Sequence, residues 1–193
     1  MSVPWPIDIS VSHFIQSAQP AWLTAAMKFF GIISAPELYL VLAVPVIAYL
    51  IFQGKKNTAV CIIIFFSGNA IIPLAKFLIG RPRPTAYVVN VLERITSPSF
   101  PSGHALGAVL LVFTLLYCIL PHVHKGRHWL LYLAGTIYIL LVGYDRVYLG
   151  VHWMSDVLAG YICGGLWIAT VLYVLKVRFT QTGKANDTSE PPK

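Results

Sequence analysis

Five apolar runs, each about as long as a bilayer core is thick, constrain this chain more than any other feature. A helix needs about 20 apolar residues to cross hydrocarbon. The runs lie near Pro36–Phe52, Asn57–Ile79, Ser102–Leu120, Trp129–Tyr148 and Trp153–Val177. Composition agrees: 57% of the chain is hydrophobic and 11% charged, with mean hydropathy +0.72. A soluble domain carries roughly 25% charged residues, a gap too wide for a well-filled core to explain. The expectation is an all-α, polytopic transmembrane helix bundle of about five spans. Pro45 and Pro73 interrupt the first two runs, which a membrane helix tolerates because its neighbours satisfy the freed carbonyls.

Residues 5–34 differ. Ile9, Phe14, Ile15, Trp22, Leu23, Met27 and Phe30 alternate with Asp8, Ser10, His13, Gln16, Gln19 and Lys28, and Pro20 divides the stretch. This reads as two short amphipathic helices in the membrane interface, with a sixth span as the alternative. The domain reading is therefore an N-terminal interfacial segment, 1–35, a transmembrane domain, 36–179, and a polar, disordered cytoplasmic tail, 180–193. The N-terminus lacks a basic stretch and carries Pro4, Pro6 and Asp8 before any apolar run, so no cleavable signal peptide is expected.

The formal net charge of +7 would suggest nucleic acid in a soluble protein. Here the cations sit in short loops, so a membrane and an anion are the expected partners and nucleic acid is not. Lys55 and Lys56, then Lys125 and Arg127, then Lys176, Arg178 and Lys184 fall on one side by alternation of the spans. The positive-inside rule makes that side cytoplasmic; an inner or plasma membrane is the expected location. The opposite side is also cationic, through Arg81, Arg83, Arg94 and Arg146. That breach of the rule points to an anion site on the outer face, although Arg81 and Arg94 taken singly read as snorkelling anchors.

Three clusters meet at that face: Lys76 with Arg83-Pro84, Pro101-Ser102-Gly103-His104, and Arg146 with His152 and Asp156. Lys76, Arg83 and Arg146 offer charge and donors to phosphoryl oxygens. Ser102 and Gly103 open a helix, where free N–H groups favour an anion. His152 and Asp156 are four apart on one helical face, so the carboxylate can hold one imidazole nitrogen and leave the other free to attack. His104 can protonate a leaving oxygen. Two His, one Asp and three cations are too expensive at a membrane to be ornament.

These motifs, in this order and spacing over about residues 57–167, resemble the three signature motifs of the type 2 phosphatidic acid phosphatase superfamily. The resemblance implies that His152 is the nucleophile of a phosphohistidine intermediate, Asp156 its orienting group, and His104 the general acid and later base. It implies that Lys76, Arg83, Ser102, the Gly103 amide and Arg146 bind the phosphoryl group, with no metal and no cofactor. The expected function is hydrolysis of a lipid phosphate or diphosphate, such as undecaprenyl diphosphate, phosphatidylglycerophosphate or phosphatidic acid. A phosphotransferase of the same chemistry and a non-enzymatic lipid-binding protein with a relic site are the alternatives. One residue departs from the pattern: Asp145 stands where the family usually has Ser.

Other features read blandly. Cys61, Cys118 and Cys163 are small apolar residues inside runs. Tyr87, Tyr144, Tyr148 and Trp153 suit an interfacial belt. Gly160 and Gly164 suit close packing within the bundle, and His122, His124 and His128 a solvated loop.

Overall fold

Prolines set the N-terminal architecture. Pro6 opens α1 (Pro6–Ile15), Pro20 caps α2 (Ala21–Ile33) and Pro36 opens α3 (Pro36–Phe52). Each is tolerated there because a helix's first N–H groups have no internal acceptor. The computed structural model describes residues 4–187, with side-chain surroundings described to Leu175. Among these residues the chain is helical without strands. The remaining α-helices are α4 (Lys56–Ser67), α5 (Ile71–Ile79), α6 (Gly103–Ile119), α7 (His128–Tyr148) and α8 (Met154–Asp187).

Four stretches are long and apolar enough to cross a bilayer: Lys56–Ile79, Gly103–His122, Lys125–Tyr148 and Met154–Leu175. A fifth exists only as α2 and α3 together, bent by 45°. Counted as one span, that pair begins at Ala21, earlier than Pro36. α3 alone has 17 residues, about 25 Å of helix, short of a hydrocarbon core of about 30 Å. Ala35, held extended before Pro36, makes the bend. In the Lys56–Ile79 span, α4 and α5 are joined by a 3-10 turn, Gly68–Ala70. Pro73 has no N–H to offer the carbonyl of Asn69, four residues back. Nearby, Asn69 Nδ2 donates to Phe66 O at 2.9 Å, and Trp167 of α8 donates to Ile64 O at 3.1 Å.

α6 is the central helix. Ala105, Leu106, Ala108 and Leu110 are fully buried, and Leu106 and Leu110 pack with Phe65 of α4 and Ile168 of α8. The glycine pair on α8 is consumed inside the bundle. A Cβ on Gly160 would lie 2.6 Å from Ser102 O, and one on Gly164 3.0 Å from Val109 Cβ. Large apolar side chains such as Phe52, Phe77 and Tyr173 face outward, as a lipid-contacting surface requires.

The N-terminal segment holds two helices, as its pattern suggests, but the polar face of α1 turns inward. Asp8, Ser12 and Gln16 are buried, whereas Trp5, Ile7 and Phe14 are exposed. Gln16 Nε2 donates to Asn90 O at 2.8 Å and Tyr148 O at 3.1 Å, and Gln19 to Tyr148 O at 2.9 Å. The turn that follows α1 thereby caps the carbonyl end of α7 and ties it to the 80–102 loop. Tyr148 and Trp153, read as belt residues, are buried instead. The Tyr148 hydroxyl meets Thr24 of α2 at 3.0 Å. The tail read as disordered from Thr180 falls where side chains, and from residue 188 the backbone, lie outside the described residues.

Candidate active site

The starts of α3, α6 and α8 and the ends of α5 and α7 converge on one end of the bundle. Between them lies a cavity of about 320 Å³. Lys76, Arg83, Gly103, His104 and His152 line it, with Ser97, Asn69 and Glu37, and with Pro36, Leu40, Ile72 and Pro73 as an apolar wall. Lys76 comes from the last turn of α5, and its Nζ donates to Ser97 Oγ at 3.1 Å. Arg83 is splayed over the loop. Its Nε donates to Ser97 O at 2.7 Å, and its Nη1 to Val151 O at 2.5 Å. Burial lowers the Arg83 pKa, with Asp156 and Glu93 opposing, but a guanidinium stays charged.

His152 precedes α8. Its Nε2 faces Arg83 Nη1 at 3.3 Å on the cavity side. Its Nδ1 is buried and stands 3.5 Å from Asp156 Oδ2, beyond a well-formed hydrogen bond, with no other hydrogen-bond partner. Asp156 Oδ2 also accepts from the Trp153 backbone at 2.9 Å. This arrangement favours the tautomer with the proton on Nδ1 and the lone pair on Nε2. Burial pushes the His152 pKa down to about 4, against the opposing pull of Asp156, so the imidazole is neutral and nucleophilic through the neutral range.

His104 sits in the first turn of α6. Its Nε2 lies 3.2 Å from Gly31 O of α2 and 3.3 Å from Arg146 Nη1. One nitrogen cannot donate to the carbonyl and accept from the guanidinium at once. With Nε2–H donating to the Gly31 carbonyl in both protonation states, Nδ1 is left for proton exchange, and the Arg146 guanidinium lies alongside as a positive charge rather than as a donor. Gly31 leaves room for this arrangement: a Cβ there would collide with Arg146 Nη2 and displace the guanidinium.

Two expected phosphoryl ligands are not on the cavity wall. Ser102 is fully buried, and its hydroxyl caps α6 by accepting from Ala105 N at 3.4 Å. Arg146 is 1% exposed and lies behind His104. Asp145, the departure from the family pattern, accounts for its placement. Its Oδ2 accepts from Arg146 Nε at 2.7 Å and also from Nη2, which leaves Nη1 to face the site. Gly103 lines the cavity, and a Cβ there would meet only Ile72 at 3.6 Å.

Sequence reasoning passed over Gly31, Ser97, Glu37, Ser155 and Asp8, and misread Arg81. Arg81 is not a snorkelling anchor: it is buried, and paired with Asp156 at 2.5 Å and Asp8 at 2.8 Å. Arg94 is exposed. The loop histidines bond locally, His122 to Cys118 O and His128 to Val123 O. Among the described residues, no three His, Cys, Asp or Glu side chains are grouped to hold a metal.

A family model described as the PAP2 superfamily matches residues 55–180. The chain belongs to the PAP2 superfamily. It is 34% identical over 185 residues to the undecaprenyl-diphosphatase of Sulfolobus acidocaldarius, covering 91% of this chain and 80% of that protein. It is 30% identical over 161 residues to phosphatidylglycerophosphatase B of Bacillus subtilis, covering 81% and 77%. The crystal structure of a transmembrane PAP2-type phosphatidylglycerolphosphate phosphatase from Bacillus subtilis shares the fold with a TM-score of 0.73 at 28% identity, over 89% of this chain and 86% of that one. The chain is an integral membrane enzyme of a lipid phosphatase family, which removes the non-enzymatic alternative.

Proposed function

We propose that this PAP2 enzyme hydrolyses the terminal phosphate of a membrane lipid phosphate or diphosphate through a phosphohistidine on His152. The observation that carries the reading is the direction of the two imidazole nitrogens: Nδ1 toward Asp156, Nε2 toward Arg83 and the cavity. Nε2 attacks phosphorus, and the bond to the leaving oxygen breaks. A proton from His104 goes to that oxygen. His104 then takes a proton from water as the water attacks the phosphohistidine, releasing orthophosphate and restoring His152.

Lys76, Arg83 and the Gly103 amide stabilise charge on the equatorial oxygens. Ser102 and Arg146 act from behind, the first by capping α6 and the second by holding positive potential beside His104. The apolar wall of Pro36, Leu40, Ile72 and Pro73 suits an acyl or prenyl chain. Undecaprenyl diphosphate, phosphatidylglycerophosphate and phosphatidic acid are the candidate substrates.

Phosphate release from that panel by detergent-purified protein tests the reading. Because cations of the protein neutralise the phosphoryl oxygens, release persists in EDTA, and the ranking of kcat/KM names the lipid. Activity lost in EDTA and restored by magnesium contradicts it. The loop charges further support an active site on the outer face with Lys55 and Lys56 inside. A cysteine at Lys56 in intact cells then resists a membrane-impermeant maleimide, and its ready labelling reverses the orientation.

A further inference from the structure

Behind His152 and Asp156 stands a buried chain of charge that the reaction above leaves unused. Arg81 Nη1 donates to Asp156 Oδ1 at 2.5 Å and to Ser155 Oγ at 2.7 Å. Arg81 Nη2 donates to Asp8 Oδ2 at 2.8 Å. The Ser155 hydroxyl donates to Asp8 Oδ2 at 2.7 Å, and its backbone N–H to Asp8 Oδ1 at 2.9 Å. Asp8 and Asp156 have no exposed surface, and Arg81 has 6%.

Such a chain is not explained by stability. Desolvating three charges is costly, and apolar residues of similar volume would serve packing as well or better. Its geometry is specific to one atom, however. Arg81 fixes Asp156 Oδ1, which commits Oδ2 to the His152 side. Asp8 shares the same guanidinium, so Arg81 does not fully neutralise Asp156.

We infer that Asp8 and Arg81 are positioning residues for the hydrolysis, acting through Asp156 to set the orientation and basicity of His152. The inference rests on His152 as nucleophile and Asp156 as its orienting group. Neither Asp8 nor Arg81 lines the cavity. The N-terminal helix α1, distant from every motif in sequence, thereby becomes part of the catalytic apparatus.

The signs of the effects are opposed. Asp8→Asn removes a negative charge and leaves Arg81 wholly to Asp156, so the acid limb of the kcat–pH profile moves to lower pH. Arg81→Gln removes a positive charge, so the limb moves to higher pH. The other charged and titratable groups that face His152 are unchanged in both variants: Asp156 on α8, Arg83 on the loop, Lys76 on α5 and His104 on α6.

The experiment uses the full chain in detergent, with the panel lipid that the wild type turns over fastest and with orthophosphate as inhibitor. Asp8→Asn keeps an oxygen for Ser155, so it preserves the fold best. The expected result is kcat reduced by roughly ten- to a hundredfold, the size of loss seen when carboxylates behind a metal-bound imidazole are removed. KM and orthophosphate inhibition stay unchanged, and the limbs shift oppositely in the two variants. Arg81→Lys restores the limb but only part of kcat, because one ammonium cannot span both carboxylates. Wild-type kcat in Asp8→Asn, or a loss with unmoved limbs and weakened orthophosphate inhibition, overturns the inference and leaves Asp8 and Arg81 as packing. A His152→Ala variant that still turns over would instead overturn the underlying mechanism.

Discussion

Replacing His152 by alanine abolishes turnover, with a fall in kcat of at least about four orders of magnitude, because the covalent step has lost its nucleophile. The other cavity imidazole does not substitute, since His104 Nε2 is held between Gly31 O and Arg146 and no carboxylate orients it for attack. Lys76 and Arg83 come from α5 and the following loop and keep their contacts to Ser97. The variant therefore still binds orthophosphate, shown by protection against thermal unfolding in detergent. Loss of activity with retained phosphate binding assigns the defect to chemistry. Substantial turnover would move the nucleophile to another residue.

Asp145→Ala lowers stability by about 3–5 kcal/mol, the usual loss when one member of a buried ion pair is removed. Asp145 is fully buried, and Arg146 is 1% exposed. The carboxylate takes both Nε and Nη2 of the guanidinium, so alanine leaves a desolvated cation unpaired beneath α2. Asp145→Asn, which keeps an acceptor but not the charge, loses less. Midpoints of thermal unfolding in one detergent measure both. Activity falls with stability in Asp145→Ala, because Arg146 Nη1 is then free to leave His104. An unchanged midpoint would mean that Arg146 finds another partner.

This pair explains how a carboxylate is accommodated beside the proposed phosphate site. It does not face the cavity: it pulls Arg146 back and turns a single guanidinium nitrogen toward His104. The family resemblance makes Arg146 a direct phosphoryl ligand; in this structure its guanidinium is held by Asp145, with Nη1 beside His104.

The spans were legible because twenty-residue apolar runs have few other uses, and alternation of the spans alone brought the three motifs to one end. The bend between α2 and α3 was half legible, in Pro36, but its meaning depended on α2 packing against α7. Asp8 was hidden for a physical reason. A polar stripe on a short amphipathic helix normally meets water or headgroups, and here it meets a buried arginine. Arg81 was misread because position at a span end does not tell whether a guanidinium snorkels outward or is pulled inward by carboxylates from α1 and α8. Gly31 carried no sequence signal, since its role is a carbonyl offered to His104 and space left for Arg146.

The most direct test of the mechanism is to trap the intermediate. Wild-type protein is mixed with lipid carrying a labelled terminal phosphate, quenched in alkaline detergent within one turnover, and mapped by mass spectrometry. The expected result is label on the protein at His152, stable in alkali and lost in acid as a phosphoramidate must be, and absent from His152→Ala. Full phosphate release with no label at His152, or label on another residue, would contradict a phosphohistidine mechanism at this site.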